Sequence, residues 1–171
     1  MIDIPGYRLR SLLQATGGHL LFRAVREDDQ QPVTIKMPHM EHAGPRERTR
    51  YEREYRLLRR LQGVPGVPGV IGYQVLQETP VLIQEDTGGK PLSEQLGRPF
   101  EASHLLFFLI PLAATLAEVH RRGVIHKDIN ANNVVFNEAN GVLQVIDFGL
   151  SLFLTRQSPK VKNPNVLEGT L

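Results

Sequence analysis

The first half of the chain alternates between short apolar segments and polar turns, as in an antiparallel sheet. Glycine, proline, aspartate and glutamine bound these segments, which predict strands. The predicted strands cover residues 7–13, 19–25, 33–37, 70–76 and 81–84. Residues 45–61, between the third and fourth strands, repeat their apolar positions at helical spacing and predict a helix between Gly44 and Gly63.

The second half predicts a long apolar helix followed by a β-hairpin. Residues 102–121 form the helix, which is almost entirely apolar. Its longest apolar stretch is shorter than the roughly 20 residues of a membrane span, so we expect a buried core helix and no membrane crossing. The hairpin joins residues 134–136 to residues 142–146 through an Asn-Gly pair, which favours a tight turn.

Between this helix and the hairpin lies a polar segment that concentrates acidic and amide side chains. Residues 126–133 read H-K-D-I-N-A-N-N, and residues 147–149 read D-F-G. Asp128 and Asn133 are five positions apart, and Asp147 follows fourteen residues after Asn133. Acidic and amide oxygens gathered in this way can accept a hydroxyl proton and hold magnesium against phosphates.

These two segments, in this order and at this spacing, resemble the catalytic loop and the metal-binding D-F-G of the protein kinases. Val33-Thr34-Ile35-Lys36 is similar to the family's V-A-I-K strand, with Thr34 in place of Ala. The resemblance implies an α+β, two-lobe kinase-like fold. Residues 1–86 would be the N-lobe, an antiparallel sheet with a Glu-bearing helix, and residues 87–171 would be part of a mainly helical C-lobe. No P-E-type anchor follows the D-F-G, so we expect the chain to be truncated after the start of the activation segment.

The resemblance implies a role for each polar residue of these motifs. Asp128 would be the catalytic base that receives the proton of the acceptor hydroxyl. Asn133 and Asp147 would be the magnesium ligands. Lys36 would hold the α- and β-phosphates of ATP and pair with a glutamate of the helix.

The helix offers two glutamates as partners for Lys36. Glu54, eighteen residues after Lys36, shares its helical face with the leucines at 57, 58 and 61 and is expected to point inward. Glu52 lies with Arg56 and Arg59 on the wetter face. We therefore interpret Glu54 as the partner of Lys36 in the catalytic site.

The region that would cover the ATP phosphates departs from the family pattern. The three glycine positions of the G-x-G-x-x-G fingerprint fall on Gln14, Thr16 and His19, although Gly17 and Gly18 are present. Side chains at those positions limit how closely backbone N–H groups approach phosphates.

On the adenine side, the last predicted strand of the sheet and a flexible joint over residues 85–89 would supply the backbone contacts. The gatekeeper position falls on Ile83 or Gln84. The resemblance implies this full set of nucleotide-binding residues: Lys36, Leu21, Gly17, Gly18, Gln84, Glu85, Asp86 and Asp147.

The catalytic loop itself departs from the family at two positions. Asn130, which we include among the catalytic residues, stands where serine/threonine members carry Lys. It can donate a hydrogen bond but brings no charge, and we expect the loss of such a contact to cost about 100-fold or more in rate. Lys127 replaces the Arg that often precedes the base, which leaves a point charge without a bidentate fork. His126 is expected to have a structural role and to pack near Phe148.

The leading functional prediction is an ATP- and magnesium-dependent kinase domain that phosphorylates Ser or Thr of protein substrates. The main alternative is a catalytically weak or inactive kinase-like module that binds nucleotide or protein partners. A small-molecule phosphotransferase is the third reading, and the intact D-F-G argues against it. H-K-D-I-N, I-D-F-G and residues 166–171 are also similar to the N-terminal kinase domains of large bacterial signalling kinases, which implies further signalling domains on the same polypeptide.

Composition adds little to this picture. The net charge of +2 is too small to indicate nucleic acid, and the arginines between residues 46 and 60 alternate with glutamates, as on a solvated helix face. Cysteine is absent, so disulfides and thiolate metal sites are excluded. The N-terminus lacks the pattern of a signal peptide, and we expect a cytoplasmic protein.

Overall fold

The structure is a computed structural model that describes residues 3–16, 18–39, 44–86, 88–95 and 101–154, without the side chains of 95 and 102–104. The chain divides into two compact units. The first consists of Met1–Arg59 and Pro68–Gly88, and the second of Arg60–Val67 and Gly89–Leu171. The boundary between an N-lobe that ends at residue 86 and a C-lobe that begins at residue 87 stays a prediction.

The first unit is built on a five-stranded antiparallel sheet. Its strands are β1 (Tyr7–Ala15), β2 (His19–Arg26), β3 (Pro32–Pro38), β4 (Val70–Leu76) and β5 (Thr79–Glu85). They lie in the order β1-β2-β3-β5-β4. Every strand expected from the apolar pattern is present, and four of the five are longer than expected. The reason is that backbone hydrogen bonding continues past the apolar positions into the polar ends of a strand.

Alternation along β3 separates two faces of this sheet. Val33, Ile35 and Met37 point into one apolar core, because successive side chains of a strand point to opposite faces. The core is completed by Ile4, Ala24, Val81 and Ile83. Lys36 therefore lies on the other face of the same strand.

One helix of the first unit lies on the face that carries Lys36. Helix α1 spans Pro45–Arg60, within one residue of the predicted helix. Proline is favoured at a helix start, because the first N–H groups of a helix have no partner within it. The buried side chains of α1 recur at helical spacing, and they are Tyr51, Glu54, Leu57 and Leu58.

The second unit combines one long helix with two small sheets. Helix α2 spans Ala102–Arg121, as predicted. The strands are β6 (Lys90–Pro91), β7 (Val124–Ile125), β8 (Val134–Asn137), β9 (Val142–Val145) and β10 (Leu152–Phe153), and a 3-10 helix covers Leu92–Gln95. One sheet has the order β6-β8-β9, and β7 pairs with β10 in the other. The predicted hairpin is β8–β9, whereas the two-residue strands are too short to carry a periodic signal.

Helix α2 does not match the expectation of a buried core helix. Phe108, Thr115 and Val119 are buried, and Phe108 packs with residues of β8 and β9. Five large apolar side chains of the helix are nevertheless exposed in the part of the chain that the structure describes: Leu105, Leu106, Phe107, Leu109 and Ile110. Among the described helices, none is long and apolar enough to cross a membrane.

Candidate active site

The first unit contains a buried ion pair between Lys36 and Glu54. The Lys36 Nζ donates to Oε1 and Oε2 of Glu54 at 2.8 and 2.9 Å. Lys36 is 3% exposed and Glu54 is 2% exposed. The structure thus joins the two residues that the sequence pattern pairs, whereas Glu52 is exposed and bonds Arg56.

The position of Lys36 follows from the sheet register. Lys36 lies opposite Leu21 of β2 on one side and opposite Leu82 of β5 on the other, so it stands on a central strand. Tyr51 adds a contact that sequence reasoning misses, with its ring centroid 5.7 Å from Nζ. Tyr51 precedes Glu54 by one helical turn on the same face, and helical spacing is the signal that would have revealed it.

The end of β5 holds the predicted adenine-side residues. Glu85 is the last residue of the strand, so it does not belong to a flexible joint as predicted. Its backbone N–H donates to the Gly69 oxygen at 2.8 Å, and its carboxylate accepts from the Gly69 N–H at 3.2 Å. A Cβ on Gly69 would lie 2.5 Å from that carboxylate, so a larger residue would have to displace the Glu85 side chain and its bond to the Gly69 N–H.

Asp86, next along the chain, makes structural contacts. Its Oδ2 accepts from Arg23 Nε at 2.8 Å, and its Oδ1 accepts from the Gly88 N–H at 2.8 Å. These contacts anchor the segment after β5 to the sheet, because Arg23 belongs to β2. The remaining part of the predicted joint at residue 87 lies outside the described residues.

The two candidate gatekeepers occupy different faces of the sheet. Ile83 lies opposite Ile35 and belongs to the apolar core. Gln84 lies opposite Thr34, and residues directly opposite each other on paired strands share a face. Gln84 is therefore on the face that carries Lys36.

The turn between β1 and β2 occupies the place of the glycine fingerprint. Gly18 and His19 both donate their backbone N–H to the Thr16 hydroxyl, at 3.3 and 3.2 Å. Gly17, one of the predicted nucleotide-binding residues, lies outside the described residues. The turn keeps its shape through a side chain, and not through the glycines that the family fingerprint would supply.

In the second unit, two amides hold the carboxylate of Asp128. Asn133 Nδ2 donates to Asp128 Oδ2 and to the Asp128 backbone oxygen, each at 2.9 Å. Asn130 Nδ2 donates to Asp128 Oδ1 at 3.1 Å. The Asn130 side chain is itself oriented, because its Oδ1 accepts from the Asn132 N–H at 2.9 Å. The carboxylate of Asp128 is thus held in one orientation through both of its oxygens.

His126 links this loop to the residue that follows β9. Its Nδ1 accepts from the Asp128 N–H at 3.3 Å, so the proton sits on Nε2, which donates to the Ile146 oxygen at 2.9 Å. The ring meets the Phe148 ring edge to face, with centroids 4.6 Å apart. The expectation of a structural histidine near Phe148 is confirmed. Ser151, which sequence reasoning misses, donates its hydroxyl to the His126 oxygen at 3.0 Å.

Asp147 follows β9 on a strained backbone. Its φ is 60°, and its Oδ1 accepts from the Gly149 N–H at 3.1 Å. The preceding Ile146 leaves the β9 ladder and donates to the Asn133 oxygen at 2.9 Å, which is why the strand ends one residue before its predicted end. Lys127, directly before Asp128, also has a positive φ of 74°. Such backbone strain in residues other than glycine clusters at functional sites.

The donor chemistry of this loop fits a magnesium ion. Asp147 offers a carboxylate, and Asn133 offers its Oδ1, because its Nδ2 is used by Asp128. Magnesium takes oxygen ligands and usually binds through one or two protein groups together with phosphates and water. Within the described residues, no cluster of three or more His, Cys, Asp or Glu side chains could hold a metal. Asn133 and Asp147 thus fit a magnesium ion whose other ligands are phosphate oxygens and water.

Comparison with known proteins agrees with the fold. A model of the protein kinase domain family matches residues 16–171. The chain is 32% identical over 154 residues to CBL-interacting protein kinase 22 of Oryza sativa subsp. japonica, which covers 86% of the chain and 33% of that protein. It is 30% identical over 94 residues to serine/threonine-protein kinase Pkn1 of Myxococcus xanthus, which covers 53% of the chain and 13% of that kinase.

A shorter segment of the chain matches another protein kinase. Over 54 residues the chain is 43% identical to mitogen-activated protein kinase HOG1 of Eremothecium gossypii, which covers 32% of the chain and 12% of that protein. The chain spans a third or less of the length of these three relatives. The antiparallel sheet with its helix is the α+β fold of a protein-kinase-like protein. The chain belongs to the protein kinase domain family.

Proposed function

We propose that this chain is an ATP- and magnesium-dependent kinase domain that transfers the γ-phosphate to Ser or Thr hydroxyls of protein substrates. The observation that carries the proposal is the Lys36–Glu54 ion pair. Both carboxylate oxygens of Glu54 lie within 2.9 Å of Lys36 Nζ, and both residues are almost fully buried. A buried ion pair gains little stability over an apolar pair of the same size, because removing two charges from water costs several kcal/mol. Its presence on the face of a central strand therefore favours a role in binding.

Lys36 has the chemistry for phosphate binding. An ammonium held by a carboxylate keeps a defined position, and it can donate to phosphate oxygens while Glu54 restrains it. We assign Lys36 to the α- and β-phosphates and Glu54 to the positioning of Lys36. Leu21 and Gln84 belong with them on geometric grounds, because the first pairs with Lys36 and the second shares its face.

The adenine side is assigned to the end of β5. Gln84 is the gatekeeper in this proposal, since Ile83 is committed to the apolar core. The backbone oxygens of Glu85 and Asp86 would face the base, while their N–H groups bond Gly69 and Pro32 and their side chains hold Gly69 and Arg23. Gly18 of the β1–β2 turn would lie near the phosphates.

Asp128 is assigned the role of catalytic base. Amides bond both oxygens of this carboxylate and hold it in one orientation. The lone pair that would accept the proton of the acceptor hydroxyl therefore has a fixed position. Catalysis depends on such positioning, and an error of about 1 Å can cost about 100-fold in rate. Asn130 takes part as the second amide donor.

Asn133 and Asp147 would hold the magnesium ion. When bound, the ion neutralises phosphate charge as it develops during transfer. The chain contributes the direction of its two ligands: Asn133 is held by Asp128, and Asp147 by the Gly149 N–H.

A kinase-like module with weak or no activity is the second candidate. Asn130 brings no charge to the position where many family members carry Lys, and the glycine fingerprint is replaced by a side-chain-capped turn. Such a module would bind nucleotide or protein partners. In both cases we propose a cytoplasmic setting, with further signalling domains on the same polypeptide, and no nucleic-acid or membrane partner.

Isothermal titration with ATP and magnesium tests the proposal, with fold checked by circular dichroism. The parent chain should bind ATP only when magnesium is present. Lys36→Ala should abolish binding, and Glu54→Gln should weaken it at least tenfold. Glu52→Gln, on the exposed face of the same helix, should bind like the parent. A folded parent that binds no ATP would refute the kinase proposal and would leave only a module that binds protein partners. A parent that binds ATP but transfers phosphate to no protein would favour the catalytically weak or inactive module.

A further inference from the structure

The hydroxyl of Thr16 uses all of its hydrogen-bonding capacity inside the β1–β2 turn. A hydroxyl has two acceptor positions and one donor position. The backbone N–H groups of Gly18 and His19 take the acceptor positions, at 3.3 and 3.2 Å. The hydroxyl hydrogen points to His19, whose Nδ1 lies at 3.1 Å and whose backbone oxygen lies at 3.4 Å.

The backbone of Thr16 is engaged as well. Its N–H donates to the His19 oxygen at 3.0 Å, across the end of the hairpin. Its oxygen accepts from His39 Nε2 at 2.8 Å, and His39 follows the end of β3. Thr16 is thus bonded to His19 of β2 and to His39, the residue after β3, and His19 is buried.

Backbone N–H groups of a turn are what a phosphate-binding loop offers to a nucleotide. A phosphate bound by such a loop accepts directly from the backbone, and glycines allow the close approach. In this chain the two N–H groups at Gly18 and His19 already have a neutral acceptor in the same turn. A phosphate oxygen would have to displace the Thr16 hydroxyl before it could accept from them.

We infer that Thr16 competes with the nucleotide phosphates for the N–H groups of Gly18 and His19, and so lowers the affinity for ATP relative to adenosine. This inference rests on the proposed nucleotide binding. Charge-assisted hydrogen bonds are roughly twice as strong as neutral ones, so phosphate can win the exchange. The free energy gained on phosphate binding is reduced by the free energy of the two hydrogen bonds to the Thr16 hydroxyl that are lost. Thr16 is therefore a determinant of triphosphate affinity.

Three variants at this position test the competition. Thr16→Val has nearly the same shape but no hydroxyl, Thr16→Ala removes the branched side chain too, and Thr16→Ser keeps the acceptor as a matched control. Binding of ATP with magnesium and binding of adenosine are measured on each chain by titration calorimetry, and melting temperature confirms the fold.

Thr16→Val and Thr16→Ala should bind ATP about three- to tenfold more tightly than the parent, with adenosine affinity unchanged. Thr16→Ser should match the parent for both ligands. If the parent binds ATP and the valine variant binds it equally or more weakly, Thr16 organises the turn for phosphate and the inference is wrong. Equal tightening for adenosine would also overturn it, because the effect would then not involve phosphates. A parent that binds neither ligand refutes the proposed function itself, and the inference with it.

Discussion

Asn133 donates from one amide nitrogen to two oxygens of Asp128, the backbone oxygen and Oδ2, at 2.9 Å each. The five-residue spacing in the sequence brings this about, since the loop closes on itself through the Asn133 N–H and the Asn130 oxygen at 3.0 Å. One residue thereby orients the proposed base, and its Oδ1 remains as a ligand for the proposed metal. The two functions of the loop depend on a single side chain.

Replacing Asn133 by Ala should therefore damage both functions. We expect phosphoryl transfer to fall by at least about 100-fold, because the base loses its orientation and the ion loses a ligand. Transfer of labelled phosphate from ATP and the magnesium dependence of ATP binding measure the two effects. Asn140→Ala is the control, since Asn140 caps only the β8–β9 turn through the Val142 N–H. Full activity of Asn133→Ala would exclude the assigned role.

Glu54→Ala should destabilise the fold strongly. The substitution leaves the Lys36 ammonium buried without its carboxylate, a change that costs about 3–5 kcal/mol in the free energy of unfolding. Urea denaturation measures it. Glu52→Ala should cost about 0.5 kcal/mol or less, because its exposed pair with Arg56 is a surface contact on the same helix. Equal losses for the two variants would show that the buried pair is not held as described.

Adjacent phenylalanines of α2 should differ sharply in their contribution to stability. Both rings meet Phe136 edge to face, with centroids 5.1 Å away for Phe108 and 5.6 Å away for Phe107, but Phe108 is 8% exposed whereas Phe107 is 51% exposed. Phe108→Ala should cost about 3–5 kcal/mol through lost contacts and the cavity that remains. Phe107→Ala should cost much less, about 1 kcal/mol, because half of its surface is already in water. Chemical denaturation of both variants makes the comparison, and a reversed order would contradict the packing of α2.

Asp29 should stay ionised at pH 3. The Arg26 guanidinium donates to its carboxylate, and the Gln31 N–H donates too, so the pKa of Asp29 is lowered from 3.8 to about 2. A lowered pKa in the folded state means that the contribution to stability is present above pH 3.8 and is lost as the pH falls through about 2. Carbon-13 NMR of the side-chain carboxyl follows the titration. Arg26→Gln should move the pKa back toward 3.8, and an unchanged titration in this variant would assign the shift to another cause.

Local patterns in the sequence were enough to predict most of the elements. Strands with alternating apolar positions and a helix with apolar side chains every three or four residues each bury one face, so their signal lies within a few neighbours along the chain. Glu54 was found in this way, since its helical face is that of Leu57 and Leu58. The order and spacing of Lys36, Asp128, Asn133 and Asp147 also indicated the protein kinase family, which the comparisons confirm.

Only the tertiary structure decided the finer features of the site. Sheet register placed Gln84 and not Ile83 on the face of Lys36, and a hydroxyl in the β1–β2 turn took the N–H groups that a glycine loop would leave for phosphate. Asn130 turned out to orient the carboxylate of Asp128. The structure also decided which apolar side chains of α2 are packed, such as Phe108, and which are exposed, such as Phe107. The physical reason is common to all of these features: each depends on which atoms lie within hydrogen-bonding or van der Waals distance, and residue type and spacing do not specify those distances.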